Sequence, residues 1–260
     1  MNDSEELLHR LAGIGILPFR SISSPEEAVS LAGALCRGGI PVLILKDAPE
    51  EVYSAVRSAY PNMMLGSTDP MHAEIFLSEQ DHTLSVQERT FQVLPSGLIP
   101  WGNAVPSEEN GISFTLLNQP AYFGILSHEI AADIDTAETA ARNAVHEMLG
   151  LHISHIGINC SEAEGEKTAQ QFADLFRGTV SETGIGYFGS PMAEIMVKNH
   201  PGTHGHIGIG VHSADRALAY YRAIGYAFSD QTAVYEPSGE LARIYFRDPI
   251  GGFAVHLMKD

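Results

Sequence analysis

Hydrophobic positions in the first 60 residues follow two spacings in turn. The run at 15–22, GILPFRSI, reads as a strand. Behind it, Ser24-Pro25-Glu26-Glu27 combines an N-cap hydroxyl, a proline at the first helical position and a capping-box glutamate. The helix so begun carries Ala28, Leu31, Ala32 and Leu35 on one face and ends at Gly38-Gly39. The apolar run at 41–46, PVLILK, predicts a strand buried on both faces. Asp47 is placed to cap a second helix, whose Val52, Ala55, Val56 and Ala59 keep the helical period until Pro61 stops it. Further strands are predicted at 63–67, 73–78, 98–101, 112–117 and 122–126, and a helix over 135–149 ends at Gly150. Strands alternating with helices make residues 1–150 an α/β domain.

Residues 151–260 carry a different order, and carry it twice. The stretch HISHIGIN at 152–159 returns as HGHIGIGV at 204–211, and each copy precedes a helical pattern and three strand-like runs. The first helix presents Ala169, Phe172, Ala173 and Phe176, with Ser161 and Glu164 as its capping box; the second presents Ala217, Leu218, Tyr221 and Ile224. Both units therefore read as βαβββ, an α+β domain. Alternation along a strand puts His155, Gly157 and Asn159 on one face and Ile156 and Ile158 on the other. His206, Gly208 and Gly210 likewise oppose Ile207, Ile209 and Val211. The isoleucine faces are expected to bury against the helices, leaving each histidine on a face lined with small residues. In the last strand of each unit, Glu194 and Met196 oppose Ile195 and Val197, and His256 and Ala254 oppose Phe253, Val255 and Leu257. Pairing of the two units about a pseudo-twofold axis would bring His155, Glu194, His206 and His256 together. Three imidazoles and a carboxylate suit a divalent metal ion such as zinc, nickel, manganese or iron. The plainer alternative is that each is an ordinary polar strand residue, with Glu194 paired to Arg243. His200 and His204 read as loop residues, with an outer ligand or substrate contact as the alternative; His212 follows its strand, where it would help start the helix, and the three-residue offset of His152 from His155 places it on the opposite face.

Charge and composition narrow the partners. The formal net charge of −17 repels phosphate backbones, and no basic run offsets it, so nucleic acid is not expected as a partner. No apolar run approaches the roughly 20 residues of a membrane span, and the acidic start MNDSEELLHR is unlike a signal peptide. Cys36 and Cys160 are too few and too far apart for a disulfide framework, which fits a reducing cytoplasm. Only four lysines, Lys46, Lys167, Lys198 and Lys259, are available for Schiff-base chemistry.

The duplicated βαβββ units, with the closing RDPIGGFAVHL, resemble the vicinal oxygen chelate (glyoxalase/bleomycin-resistance) superfamily, over the whole of 151–260. The turn Gly251-Gly252 is one residue longer than that family's Asp-Pro-x-Gly pattern. The resemblance implies metal ligands at His155, Glu194, His206 and His256, and a small-molecule substrate held through two adjacent oxygens. Residues 10–67 resemble the opening of the 2-keto-3-deoxy-6-phosphogluconate / 4-hydroxy-2-oxoglutarate aldolases, which are (β/α)8 barrels. The family's acid/base glutamate falls on Ile44, its basic residue falls near Ser21 beside Arg20, and the segment GISFTLLNQP holds no Schiff-base lysine. With 150 residues against the 200 or more of a full barrel, the resemblance implies a shortened (β/α) barrel-like domain, 1–150, ahead of a paired βαβββ domain, 151–260.

The expected function is that of a metal-dependent lyase or isomerase acting on a small keto or sugar acid. Glu194 is its base, and Tyr187, Tyr235, Arg243 and Tyr245 line the substrate. The alternatives are a binding protein without catalysis and an aldolase that uses Lys46, at a strand end, as its amine. A shortened barrel would leave strand edges that self-association covers, so a homo-oligomer is expected.

Overall fold

The structure, a computed structural model, describes residues 3–69, 75–78, 83–86, 89–92, 114–116, 119–121, 124–126, 133–198 and 201–260. It is a mixed α/β protein in which helices and strands interleave around two large sheets. Its contacts divide it into two compact units, residues 1–149 with 218–225 and residues 150–217 with 226–260. No helix among the described residues is long and apolar enough to cross a membrane.

The first unit opens with helix α1 (Asp3–Ile14), which lies ahead of the first predicted element. It continues with β1 (Ile16–Ser21), α2 (Pro25–Arg37), β2 (Val42–Lys46), α3 (Glu50–Ala59) and β3 (Met64–Ser67). The Ser24 side chain accepts a hydrogen bond from Glu27 N, the N-cap geometry expected of it. Asp47 does not cap α3: it adopts a left-handed φ of 50°, and Pro49 stands at the cap position. Then come β4 (Ile75–Ser78), β5 (Thr83–Val86), β6 (Arg89–Gln92), the hairpin β7 (Phe114–Leu116) and β8 (Gln119–Ala121), β9 (Gly124–Leu126) and α4 (Ile134–Leu149). The strand expected at 98–101 lies outside the described residues.

Seven of these strands form one sheet in the order β6-β5-β4-β3-β2-β1-β9. Strands β9, β1, β2, β3 and β4 pair in parallel, and β4, β5 and β6 antiparallel. Among the described residues this order is open, with β6 and β9 at its edges, where a barrel would join its first and last strands. The reason is local: β4 to β6 run as an antiparallel meander over 75–92, in stretches too short to hold the crossover helices of parallel repeats. Ile44 is fully buried in β2, and Lys46 ends that strand with its ammonium 5.7 Å from the centre of the Phe19 ring.

The second unit contains β10 (His152–Asn159), α5 (Gly165–Phe176), β11 (Ser181–Glu182), β12 (Gly186–Ser190) and β13 (Ala193–Met196). The same order returns in β14 (Gly205–Val211), α6 (Ala214–Ala223), β15 (Val234–Tyr235), β16 (Leu241–Tyr245) and β17 (Phe253–Lys259). Its eight strands run β11-β12-β13-β10-β14-β17-β16-β15. Within each half the first strand pairs in parallel with the last, β10 with β13 and β14 with β17, and the halves join through the antiparallel pair β10–β14. Residues 218–225, the later part of α6 and the turn after it, group with the first unit, where the Tyr220 hydroxyl donates to Gly39 O over 2.9 Å.

Two expectations for this unit are corrected. Helix α5 starts at Gly165, four residues beyond Ser161 of the proposed capping box, because residues 161–164 form a turn closed by Glu164 N donating to Ser161 O. A Cβ at Gly165 would lie 2.2 Å from Val197 Cγ1, so glycine permits the helix to start against the end of the β13 segment. The isoleucine face is also not fully covered. Helix α5 packs on β12 and β13, while Ile153 and Ile156 in the central strand are 66% and 40% exposed.

Candidate metal centre

Register fixes which side chains share the face of the second sheet opposite α5. His155 pairs with Gly208, and Gly208 with His256, which pairs with Tyr245. These four form one row across β10, β14, β17 and β16. The next row runs Phe188, Glu194, Gly157, His206 and Ala254. In the two central strands each histidine thus faces a glycine, and each central imidazole lies over that glycine of the adjoining strand. A Cβ at Gly157 would stand 2.0 Å from His206 Cε1, and one at Gly208 2.5 Å from His155 Cε1. The repeated His-Ile-Gly-Ile is therefore a reciprocal device: each copy supplies one ring and the hollow that receives the other copy's ring.

The rings meet. His155 Nε2 and His206 Nε2 are 2.9 Å apart, and the three ring centroids of His155, His206 and His256 are separated by 5.0, 5.1 and 5.2 Å. One nitrogen from each ring lies within 4.8 Å of those of the other two. Glu194 Oε2 is 3.1 Å from His206 Nε2 and 3.7 Å from His155 Nε2. All four residues are buried. The long turn at Gly251 and Gly252, both with positive φ, leaves His256 in register.

This arrangement disfavours the charged form of two of the rings. Burial, then the neighbouring His155 and His206, pushes the His256 pKa down to about 3. Burial and the facing His206 also lower that of His155, against the opposing pull of Glu194. Both imidazoles are neutral at neutral pH and keep a lone pair for donation. His256 Nε2 and His206 Nδ1 are buried without a hydrogen-bond partner, an arrangement that costs about 1–3 kcal/mol per group. Two imidazole nitrogens bound to one first-row ion at about 2.1 Å stand roughly 3 Å apart when adjacent, close to the His155–His206 spacing. The three buried histidines are able to bind a metal ion, and the donor set fits one.

The lowered pKa values predict acid lability of the metal-free protein. His256 binds a proton near its ordinary value of about 6.5 when unfolded and only near 3 when folded, so its contribution is complete above pH 6.5 and lost as pH falls toward 3. Urea unfolding at pH 7 and pH 5 should show stability dropping by roughly 1 kcal/mol per pH unit for this group. His256→Gln should flatten the slope; identical slopes in both proteins would contradict it.

The remaining expected site residues divide. Tyr245 lies on the histidine face, its ring 4.8 Å from that of His256. Burial raises the Tyr245 pKa, keeping its phenol protonated. Arg243 pairs with Met258, two residues from His256 and on the same face, with its guanidinium 5.9 Å from the Tyr245 ring centre. No ion pair joins it to Glu194 among the described residues. Tyr187 pairs with Ile195, and its ring lies beside Gly165 of α5, so it faces away from the histidines. Its neighbour Phe188, absent from the expected set, opposes Glu194, and its ring centre lies 6.2 Å from that of His155. Tyr235 is 61% exposed on the edge strand β15.

His152 also departs from expectation. A register shift between Ile153 and His155 returns it to the histidine face, opposite Gly210, where its Nε2 lies 3.3 Å from Asp260 Oδ1. His212 Nδ1 is 3.8 Å from the other oxygen of that carboxylate. His204 packs beside Phe253, and His200 lies outside the described residues. No family model, curated protein or solved structure matches the chain.

Proposed function

We propose that the second unit is a metal-dependent lyase or isomerase domain of the vicinal oxygen chelate type, acting on a small metabolite with two adjacent oxygens, a keto or sugar acid. The observation that carries this reading is the buried trihistidine cluster built from both halves of a duplicated βαβββ sheet. His155, His206 and His256 would hold the ion, with Glu194 as a fourth ligand or as the base beside it. A divalent ion so held supplies Lewis-acid polarisation of substrate oxygens, a contribution of several kcal/mol to charge stabilisation.

The chain's own residues account for the rest of the site. Glu194 Oε2 reaches two of the imidazoles, and in this reading its carboxylate would receive a proton from substrate held beside them. Phe188 and Tyr245 flank the histidine rows at opposite ends and restrict water there. The first unit, in this reading, is an aldolase-like scaffold without aldol chemistry, since Ile44 fills the place of the glutamate and is fully buried. Self-association of the chain belongs to the same proposal.

Turnover separates catalysis from simple binding. A panel of 2-oxo acids and 2-oxo aldehydes, assayed with metal-loaded and metal-stripped protein, should show metal-dependent conversion of at least one member, and Glu194→Gln should abolish it. Ligand binding without conversion across the panel would favour a sequestering protein instead.

A further inference from the structure

We infer that Arg243 anchors a second, anionic end of the ligand, so that the site selects molecules carrying a carboxylate or phosphate beyond the pair of oxygens held at the histidine cluster. The inference rests on the metal-centre reading and extends it to a substrate class.

Tyr245 pairs with His256, and Arg243 is two residues back along β16, opposite Met258. Side chains two apart on a strand share a face and stand about 6–7 Å apart. Arg243 therefore presents its charge on the histidine face, roughly one residue pair beyond the ligand set. Its guanidinium also lies 5.9 Å from the Tyr245 ring centre, and that ring neighbours both His256 and His206. The aromatic ring spans the distance between the imidazoles and the exposed guanidinium, which it meets as a cation–π partner.

The charges around Arg243 point the same way. The chain has 32 acidic residues against 15 basic ones, so a nearby carboxylate is easily found. Among the described residues Arg243 nonetheless makes no ion pair. The two acids of its own hairpin, Glu236 and Glu240, both bind Lys259, at 3.0 and 2.8 Å. Lys259 is on β17, three residues from His256 and hence on the other face. The hairpin's carboxylates are thus held away, and the guanidinium fork keeps its donors for a planar or tetrahedral oxyanion. An anionic ligand approaching a chain of charge −17 also needs a local cation of this kind.

The test uses full-length, nickel-loaded protein and calorimetric titration with three probes. Oxalate offers a chelating pair alone, 2-oxoglutarate adds a distal carboxylate, and a phosphorylated 2-hydroxy acid, 3-phosphoglycerate, adds a distal phosphate. R243Q should weaken whichever distal-anion probe binds the native protein by about 10- to 100-fold, the range of a lost charge-assisted hydrogen bond. Oxalate affinity and metal stoichiometry should stay within about twofold of the native values. R243K should restore part of the loss, and R247Q, which removes an exposed arginine paired with Asp248, should change nothing. Which of the two distal probes responds identifies the anion. Equal weakening of oxalate and the distal probes, or no weakening of either, overturns the inference while leaving the metal centre standing. Failure of the native chain to take up nickel removes both.

Discussion

His206→Ala is expected to lower the affinity of the metal-free protein for zinc or nickel by at least about 100-fold. Loss of a mere outer-shell partner of a metal ligand costs about 10- to 100-fold, and His206 is more central than that. Its Nε2 is 2.9 Å from His155 Nε2 and 3.1 Å from Glu194 Oε2, so it is the residue through which the imidazoles and the carboxylate meet. Removing the ring also deletes a buried Nδ1 that has no partner, which offsets part of the packing loss. The variant should fold, with far-ultraviolet circular dichroism like the native spectrum, while competition against a chromogenic chelator reports the lost affinity. Unchanged affinity in a folded variant would place any bound metal elsewhere.

Gly157→Ala should act as strongly through a residue that touches no metal. In an ordinary strand, alanine in place of glycine stabilises by roughly 0.5–1 kcal/mol. Here the added Cβ would lie 2.0 Å from Cε1 and 2.2 Å from Nδ1 of His206, a ring that is only 2% exposed and so has no free space to enter. The sign should reverse, with a loss of about 2 kcal/mol from overpacking and a metal affinity reduced with it as the ring is pushed out of line. Gly184→Ala serves as the control, since nothing lies within 4 Å of a Cβ there. Denaturant midpoints of the three proteins check the prediction; a stabilised Gly157→Ala protein would show that the ring is not seated over this glycine.

The centre is legible in the sequence because it depends on strand parity, and parity is written in the chain. His155, Glu194, His206 and His256 fall on one face whenever the four strands are regular between those points, and β13, β14 and β17 are regular there. Parity fails where regularity fails. The shift between Ile153 and His155 reverses the face of His152, and no residue type in HISH announces it. Phe188 takes the place expected of Tyr187 for a related reason: the middle strands lack a histidine to set their phase, and only the pairing of Phe188 with Glu194 decides it. The start of α5 departs from the capping pattern because Ser161 and Glu164 satisfy that pattern while closing a turn instead. The first unit's α/β alternation is readable up to β3. Beyond it the apolar runs carry no period long enough to separate a meander from crossover units, so the order taken by the described strands is not foreseeable from them.

The central claim is that both copies of the repeat contribute to one ion-binding point, and equilibrium dialysis of the metal-stripped, untagged chain tests it most directly. Dialysed against zinc or nickel, the native protein should saturate at one ion per chain, and replacing any one of His155, His206 and His256 should remove that site. Absence of saturable binding, or a saturable site that survives all three replacements, would contradict it.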